Sequence, residues 1–257
     1  MKNTPSAQLM DDLRVYSYPQ FSHNRRYIAY EYGIFLNKIG LWDTVTNEHM
    51  ELLNTSENLP YDATLGGITF TPNDDRILFA FKWNGEDNRF YTKLATTDIK
   101  SKEITQLEIE NLQATFYNIE SSLDGKWVVS DMVTQNNQVC FLTDLEEQEV
   151  KCLIYQEGWY SSVKFTPDSN YIVYDHSKSI TDTTSIVRSK IDGTENKVLV
   201  SGFLGAAPLI ITQNEIIFAA DTLFNSKRCS HMYAINLNGS NFRKLSYLGE
   251  KCSSGEK

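Results

Sequence analysis

The sequence predicts an all-β protein, a β-propeller made of four-stranded antiparallel blades. Three features of the 257-residue chain indicate this fold: a turn motif that occurs five times, an apolar run after each copy, and an aromatic content of 12%. Each copy of the motif starts with a serine or threonine and continues through polar turn residues. The copies start at positions 22, 71, 122, 166 and 212, which gives steps of 49, 51, 44 and 46 residues. Short strands that repeat at this period are typical of propeller blades.

Each predicted blade begins with an innermost strand, as in Thr64–Phe70, Tyr160–Phe165 and Ala206–Ile211. Small and β-branched residues suit this strand because the blades converge toward the axis. The second strand follows the turn motif, as in Ile77–Phe81 and Ile172–Tyr174. It is apolar on both faces because it lies between neighbouring blades.

Two outer strands complete each predicted blade. They alternate apolar and polar residues, as strands with one wet face do. The dipeptides Asp192-Gly193 and Asn238-Gly239 predict tight hairpin turns, since these residues tolerate the positive φ that such turns need. We therefore expect a single domain over residues 1–257, with repeats at about 14–55, 62–108, 113–155, 158–200 and 204–248.

The chain is acidic, with a formal net charge of −9. Its lysines and arginines are scattered along the chain in runs of no more than two, whereas binding to nucleic acid or to an anionic membrane needs clustered basic residues that displace counterions. Neither partner is expected. No apolar run is long enough to span a membrane. An acidic surface is ordinary for a soluble protein, and we expect a monomer.

The four cysteines flank two predicted outer hairpins. Cys140 and Cys152 flank the hairpin of the third repeat, and Cys229 and Cys252 flank that of the fifth. If each pair forms a cross-strand disulfide, the protein belongs to an oxidising compartment, periplasmic or secreted. The alternative is four unrelated thiols in a cytoplasmic protein. The chain starts Met1-Lys2-Asn3-Thr4 without an apolar leader region, so either a signal peptide has been removed or the protein stays inside.

Catalytic motifs are scarce in the sequence. It contains no Gly-x-Ser-x-Gly elbow, phosphate-binding loop, dinucleotide fingerprint, His-Glu-x-x-His or Cys-x-x-Cys. The four histidines are His23, His49, His176 and His231, and only the last two are expected to share a face. Because a catalytic metal usually needs three protein ligands, we expect no metal, no cofactor and no catalytic residue.

Acidic residues recur at one position of the repeat. Glu31, Asp131 and Asp175 lie three residues past the first apolar residue of the second strand, and Asp221 lies close to this position in the shortened fifth copy. Equivalent positions surround the axis on one face, so these acids predict a rim at one channel mouth that receives a basic peptide segment or a cation. The alternative is that each carboxylate accepts hydrogen bonds within its own loop. The aromatic residues near this mouth are Tyr32, Trp83 and Trp159.

Three segments carry a family resemblance: Pro19-Gln20-Phe21-Ser22, Phe165-Thr166-Pro167-Asp168 and Ile191-Asp192-Gly193-Thr194. They resemble the PD40 repeat of TolB-like propellers, which also occurs in the propeller domains of prolyl-oligopeptidase-type peptidases. The resemblance extends over residues 14–248. The segment Leu41-Trp42-Asp43 looks like the end of a WD40 strand, but no Gly-His pair precedes it, so WD40 proper is the weaker match.

The resemblance implies six blades, whereas the sequence shows five repeats. A five-bladed ring and an irregular or incomplete six-bladed ring both fit. The family also implies a scaffold that binds a protein or peptide on one face, in the bacterial cell envelope, and we expect such a non-enzymatic module. The alternative is a glycan lyase, because some TolB-like propellers resemble polysaccharide lyases that hold a metal with several histidines. In that alternative His176 and His231 are among the ligands.

Overall fold

The computed structural model confirms an all-β fold of four-stranded antiparallel blades. It describes residues 19–33, 36–59, 63–87, 89–107, 115–133, 138–147, 149–154, 158–179, 181–224 and 227–245. These residues form five four-stranded sheets, and in each sheet the strands are hydrogen-bonded in chain order. One short helix, α1 (Thr55–Asn58), follows the first sheet.

The first two sheets lie in the first half of the chain. The first contains β1 (Gln20–Phe21), β2 (Tyr27–Tyr32), β3 (Lys38–Asp43) and β4 (Glu48–Asn54). The second contains β5 (Thr64–Phe70), β6 (Arg76–Asn84), β7 (Phe90–Asp98) and β8 (Ile104–Gln106).

The other three sheets follow in sequence. The third contains β9 (Thr115–Ser121), β10 (Trp127–Val133), β11 (Gln138–Asp144) and β12 (Glu149–Ile154). The fourth contains β13 (Trp159–Phe165), β14 (Tyr171–Ser177), β15 (Thr184–Lys190) and β16 (Lys197–Phe203). The fifth contains β17 (Gly205–Ile211), β18 (Glu215–Phe224), β19 (Lys227–Asn236) and β20 (Arg243–Lys244).

The described residues fall into two compact units. The first unit lies within residues 1–121 and 145–149, and the second lies within residues 122–144 and 150–257. In the first unit, apolar residues of the first and second sheets share one core, including Ala29, Leu41 and Phe79. In the second unit, Val173 of the fourth sheet and Phe218 of the fifth belong to one core.

Side chains alternate between the two faces of each second strand. Ile172 and Tyr174 of β14 pack with Val129 of the third sheet, whereas Val173, between them, packs with Ile216 of the fifth. A strand with a neighbouring sheet on each face has no wet side, which explains why the second strands read as continuous apolar runs.

The serine or threonine of each repeated motif holds its turn together. The Ser22 hydroxyl accepts a hydrogen bond from the backbone N–H of Tyr27 at 2.8 Å. Ser122 does the same for Trp127 at 2.9 Å, and Thr166 for Tyr171 at 3.1 Å. This bond fixes the turn and the first residue of the second strand, because it satisfies a backbone donor that the sheet leaves unpaired.

The fourth position of the turn has a left-handed backbone. Arg25, Asp74 and Ser169 have φ of 61°, 55° and 58°, and Gly125 has 75°. Positive φ is uncommon for residues other than glycine, and here it recurs at the same position of four turns.

Asp74 uses this position to hold the first sheet to the second. Its buried carboxylate accepts bonds from the backbone N–H of His23 at 2.8 Å, the His23 ring at 2.9 Å and the N–H of Asn24 at 2.8 Å. Ser169 stands at the equivalent position in the fourth sheet, where its hydroxyl accepts one long bond of 3.4 Å from the N–H of Asp124. The side chain at this turn position therefore makes three hydrogen bonds to the neighbouring turn at Asp74 and one long hydrogen bond at Ser169.

Replacing Asp74 with alanine is expected to lower the free energy of unfolding by about 2–3 kcal/mol, because buried backbone donors lose their acceptor. Ser169→Ala is the matched control, with an expected loss of about 1 kcal/mol or less for its single long bond. Urea denaturation followed by circular dichroism measures both. Equal losses in the two variants would contradict the assigned role of Asp74.

One of the four cysteines is described in full. Cys229 lies on β19, is buried, and is disulfide-bonded. Its partner is outside the residues whose side chains the structure describes. Cys140 and Cys152 lie on β11 and β12, but their side chains also fall outside that set, as does the whole of Cys252. The predicted pairing of Cys140 with Cys152 and of Cys229 with Cys252 stays a prediction.

Peptide mapping under non-reducing conditions is expected to recover a peptide that joins Cys229 to Cys252. Reduction before digestion should release the two peptides separately. Recovery of Cys229 bridged to Cys140 or Cys152 would overturn the predicted pairing. Recovery of a free Cys229 thiol from oxidised protein would show that Cys229 forms no disulfide.

Candidate binding surface

The predicted acids all lie on second strands, toward one end of the sheets. We call the distal end of a sheet the end at which its second strand (β2, β6, β10, β14 or β18) finishes, opposite its serine or threonine turn. Glu31 lies on β2 and Asp131 on β10, whereas Asp175 lies on β14 and Asp221 on β18.

Two of these acids are buried. Glu31 stands opposite Ile39 of the first core, and Asp175 stands opposite Ile186 of the core between the fourth and fifth sheets. A partner that docks at the distal end therefore does not meet these carboxylates first. Asp131 stands opposite Cys140 on the strand ladder, and its side chain lies outside the described set.

Asp221 is held by two neighbours on the same hairpin. Its carboxylate accepts a bond from Arg228 Nε at 2.7 Å and another from the hydroxyl of Ser230. The arginine is largely exposed. Asp221 thus presents an ion pair rather than a bare negative charge. The acidic rim that would join all four residues stays a prediction.

In the first unit, a lysine and a glutamate cover Tyr32. Lys38 Nζ donates to Glu51 Oε2 at 2.7 Å and lies 5.7 Å from the centre of the Tyr32 ring. The Tyr32 hydroxyl donates to the same carboxylate oxygen. The hydrogen bond from Lys38, followed by that from Tyr32, lowers the pKa of Glu51. Burial and the bond to Glu51 raise the pKa of Tyr32.

The β6–β7 hairpin carries an aromatic ladder to the distal end. The ring of Trp83 lies 5.7 Å from Phe81 and 5.8 Å from Tyr91, stacked on both. The Tyr91 hydroxyl donates to Asp87 at 2.8 Å, which raises the pKa of Tyr91. Phe90, at the start of β7, is exposed.

Gly85 leaves room for the Tyr91 ring at the tip of this hairpin. A β-carbon at Gly85 would stand 2.5 Å from Tyr91 Cε2, too close for any other residue without movement of the ring. The glycine therefore leaves the space that the outermost ring of the ladder occupies.

In the second unit, the distal end of the fourth sheet presents Trp159. This indole is 47% exposed, whereas the next residue, Tyr160, is buried and stacks on His176 with ring centres 4.7 Å apart. Gly158 leaves room for that histidine, since a β-carbon there would lie 2.6 Å from its Nε2.

The four histidines do not gather into a metal site. His23 is bonded to Asp74 in a turn, and His49 stacks on Trp42 at 5.3 Å. His176 packs with Tyr160 toward the third sheet, while His231 stands opposite Ala220, which faces the fourth. Within the described residues, no three of His, Cys, Asp and Glu are placed to share an ion. A multi-histidine metal centre does not fit this part of the chain.

A groove lies at the other end of the fifth sheet. It has a volume of about 530 Å³ and is open to solvent. Its lining residues are Thr212, Gln213, Asn214, Glu215, Asn236, Leu237 and Asn238. The groove is thus amide-rich and is separate from the predicted acids.

The sequence analysis did not identify the charged residues that pair with one another, or with a predicted acid, near the distal ends of the first and fifth sheets. Lys38, Glu51 and Arg228 pair with residues across a hairpin. The hairpin turns place such partners opposite each other, so the charge pattern of the outer strands was the available signal.

Solved structures show the same fold. TolB from Acinetobacter baumannii matches with a TM-score of 0.64 at 15% identity, over 89% of this chain and 53% of that chain. An oligogalacturonate lyase in complex with manganese matches with a TM-score of 0.64 at 14% identity, over 90% of this chain and 65% of that chain. At such identities the likeness concerns the fold alone.

Sequence comparison gives a shorter match. U3 small nucleolar RNA-associated protein 21 of Saccharomyces cerevisiae is 30% identical over 83 residues, which are 31% of this chain and 9% of that protein. The chain therefore spans a small part of this relative. No protein-family model matches. None of the helices in the described ranges could cross a membrane. The sheets and the solved structures together establish a β-propeller scaffold with TolB-like neighbours.

Proposed function

We propose that this protein is a non-enzymatic propeller scaffold that binds a protein or peptide at the distal end of its sheets. The observation that carries the proposal is the exposure of Trp159 at the distal end of the fourth sheet, next to the buried Tyr160. Trp and Tyr are enriched among the residues that dominate the energetics of protein interfaces, because they bury much area at low entropic cost.

The aromatic side chains are held in position before any partner binds. Trp83 is stacked on both sides, and Tyr91 is stacked on Trp83 and hydrogen-bonded to Asp87 at the hairpin tip. A surface that is ordered in the free protein spends less free energy on ordering when it binds. The distal end of the second sheet has this property.

The acidity of the whole chain favours a partner segment with basic character. Glu31 and Asp175 are buried and Asp221 is paired with Arg228, so these three acids do not present bare charges to a partner. The net charge of −9 therefore carries the preference for a segment that contains lysine or arginine.

A bacterial cell envelope is the compartment we propose. The support is the disulfide at Cys229, which requires an oxidising environment to persist, and the likeness of the fold to TolB structures. In this setting the partner would be another envelope protein, and the propeller would act as a docking scaffold.

Trp159→Ala is expected to weaken partner binding by about tenfold or more, the loss usual for a truncated hot-spot residue. Leu123→Ala is the matched control, because Leu123 is also 47% exposed but lies in a turn at the opposite end of its sheet. Affinity capture from native extract with mass spectrometry identifies the partner with wild-type bait. Titration calorimetry with the purified partner then compares both variants.

Equal affinities of the two variants for the partner would show that the binding site does not include Trp159 at the distal end of the fourth sheet. A wild-type bait that captures no stoichiometric protein would contradict the scaffold function, and incubation with acidic glycans would then test lyase activity directly.

Lys38→Met is expected to raise the pKa of Glu51 toward its ordinary value, because the hydrogen bond that lowers it is removed. NMR titration of the glutamate side chains measures this, with Lys197→Met as a control far from Glu51 in the sequence. A group with a lowered folded pKa adds stability above its unfolded pKa and loses it as the pH falls through the folded pKa. Since both side chains are partly exposed, this stability is expected to be about 1 kcal/mol or less. An unchanged Glu51 pKa would contradict the pairing.

A further inference from the structure

The tripeptide Asn238-Gly239-Ser240 forms the tip of the hairpin between β19 and β20. It has the form Asn-x-Ser/Thr with a residue other than proline in the middle, which is the sequence that accepts an N-linked oligosaccharide. Asn238 is exposed, as a residue that receives an oligosaccharide has to be. Three residues match such a sequence easily, so the contacts of the turn decide whether the match has meaning.

The turn uses the side-chain oxygen of Asn238 and leaves its nitrogen unused. Asn238 Oδ1 accepts hydrogen bonds from the backbone N–H of Ser240 at 2.9 Å and from the Ser240 hydroxyl at 2.7 Å. Within the part of the chain that the structure describes, Asn238 Nδ2 donates no hydrogen bond. The nitrogen that would carry a sugar is therefore free, and the hydroxyl that the acceptor sequence requires lies beside the same amide.

The fourth sheet shows that this turn needs only an acceptor oxygen. Asp192 stands at the equivalent position between β15 and β16, followed by a glycine that also has positive φ. Its Oδ1 accepts hydrogen bonds from the backbone N–H of Thr194 at 2.9 Å and from the Thr194 hydroxyl. An aspartate thus builds the same turn without an amide. The requirements of the turn account for the oxygen of Asn238 but not for its nitrogen.

A second tripeptide of this form, Asn54-Thr55-Ser56, provides an internal comparison. Asn54 is only 8% exposed, and its Nδ2 donates to Glu57 Oε1 at 2.8 Å. An oligosaccharide on this nitrogen would break the hydrogen bond and displace the neighbours of Asn54. The folded protein therefore offers a free acceptor nitrogen at Asn238 and an engaged one at Asn54.

We propose that Asn238 is N-glycosylated and that Asn54 is not. This inference rests on the oxidising compartment of the proposed function, because N-linked oligosaccharides are a feature of secreted proteins. The co-reactant is an oligosaccharide linked to a lipid pyrophosphate, together with its transferase. Asn238 Nδ2 forms a bond to the anomeric carbon of the sugar and loses one proton to a base of the transferase. The bond from that carbon to the pyrophosphate oxygen breaks, and the lipid pyrophosphate leaves with the bonding electrons.

An oligosaccharide at Asn238 leaves the proposed docking surface open. Lys197, which begins β16 beside the Asp192 turn, donates to the Asn238 carbonyl at 2.6 Å, so these two outer turns lie together. Trp159 stands at the distal end of the fourth sheet, away from these turns. The glycan would therefore add bulk and solubility at one end of the sheets while a partner docks at the other.

Peptide mapping of the full chain purified from its native cells tests the modification. Peptide N-glycosidase in heavy-oxygen water converts a glycosylated asparagine to an aspartate that carries heavy oxygen, and mass spectrometry locates this label. We expect the label at Asn238 and none at Asn54. An unlabelled Asn238, or a label at Asn54 in its place, would overturn the inference.

Variants expressed in the same cells give a second reading. Asn238→Asp is expected to lose the glycan completely while keeping the turn, because Asp192 shows that a carboxylate oxygen supports it. Ser240→Ala should lose the glycan as well, and Ser240→Thr should keep it. Ser56→Ala is the matched control, since it removes the hydroxyl of the second tripeptide and should leave the glycan unchanged. A glycan that persists in Asn238→Asp would lie elsewhere, which would reject the assignment.

The state of Cys229 in the same digest separates this inference from the proposed compartment. A disulfide at Cys229 with an unmodified Asn238 would reject the glycosylation and leave the oxidising compartment supported. A free Cys229 thiol with an unmodified Asn238 would overturn both.

Discussion

The hydroxyl at the start of each turn is the interaction on which the other features depend. By accepting the N–H of the residue that opens the second strand, it sets where that strand begins, as Ser22 does for Tyr27. The alternation of the strand then decides which side chains enter which core. A shift of one residue would exchange the two faces, and would move Val173 out of the core that it shares with the fifth sheet.

Much of the fold follows from the sequence because it is encoded locally. The strand Thr64–Phe70 has the bounds that the sequence predicts, and the glycines of the two predicted hairpin turns, Gly193 and Gly239, have positive φ. These features depend on which residues favour turns and on the alternation of apolar and polar side chains, and both can be read from a single repeat. The contact between Asp74 and His23 joins residues about fifty positions apart, and nothing in either turn alone specifies it.

The candidate site was predictable only in part, for the same reason. The repeat position locates Glu31 and Asp175 on the right strands, but burial depends on the sheet that packs against them, which the sequence does not show. Exposure separates the residues that can meet a partner from those that support them. Trp159 belongs to the first group, and its neighbour Tyr160, stacked beneath on His176, belongs to the second.

The preformed ion pairs have a kinetic consequence. Lys38 with Glu51, and Arg228 with Asp221, neutralise each other within the chain, so each pair presents a dipole rather than a net charge. The field of a dipole falls off faster with distance than that of a charge, and salt screens it before a partner comes near. Long-range attraction of a basic partner then comes from the net charge of the whole chain, and the two ion pairs act only at short range. Salt should slow association through the net charge, whereas the contribution of the ion pairs would be expressed in how long the complex lasts.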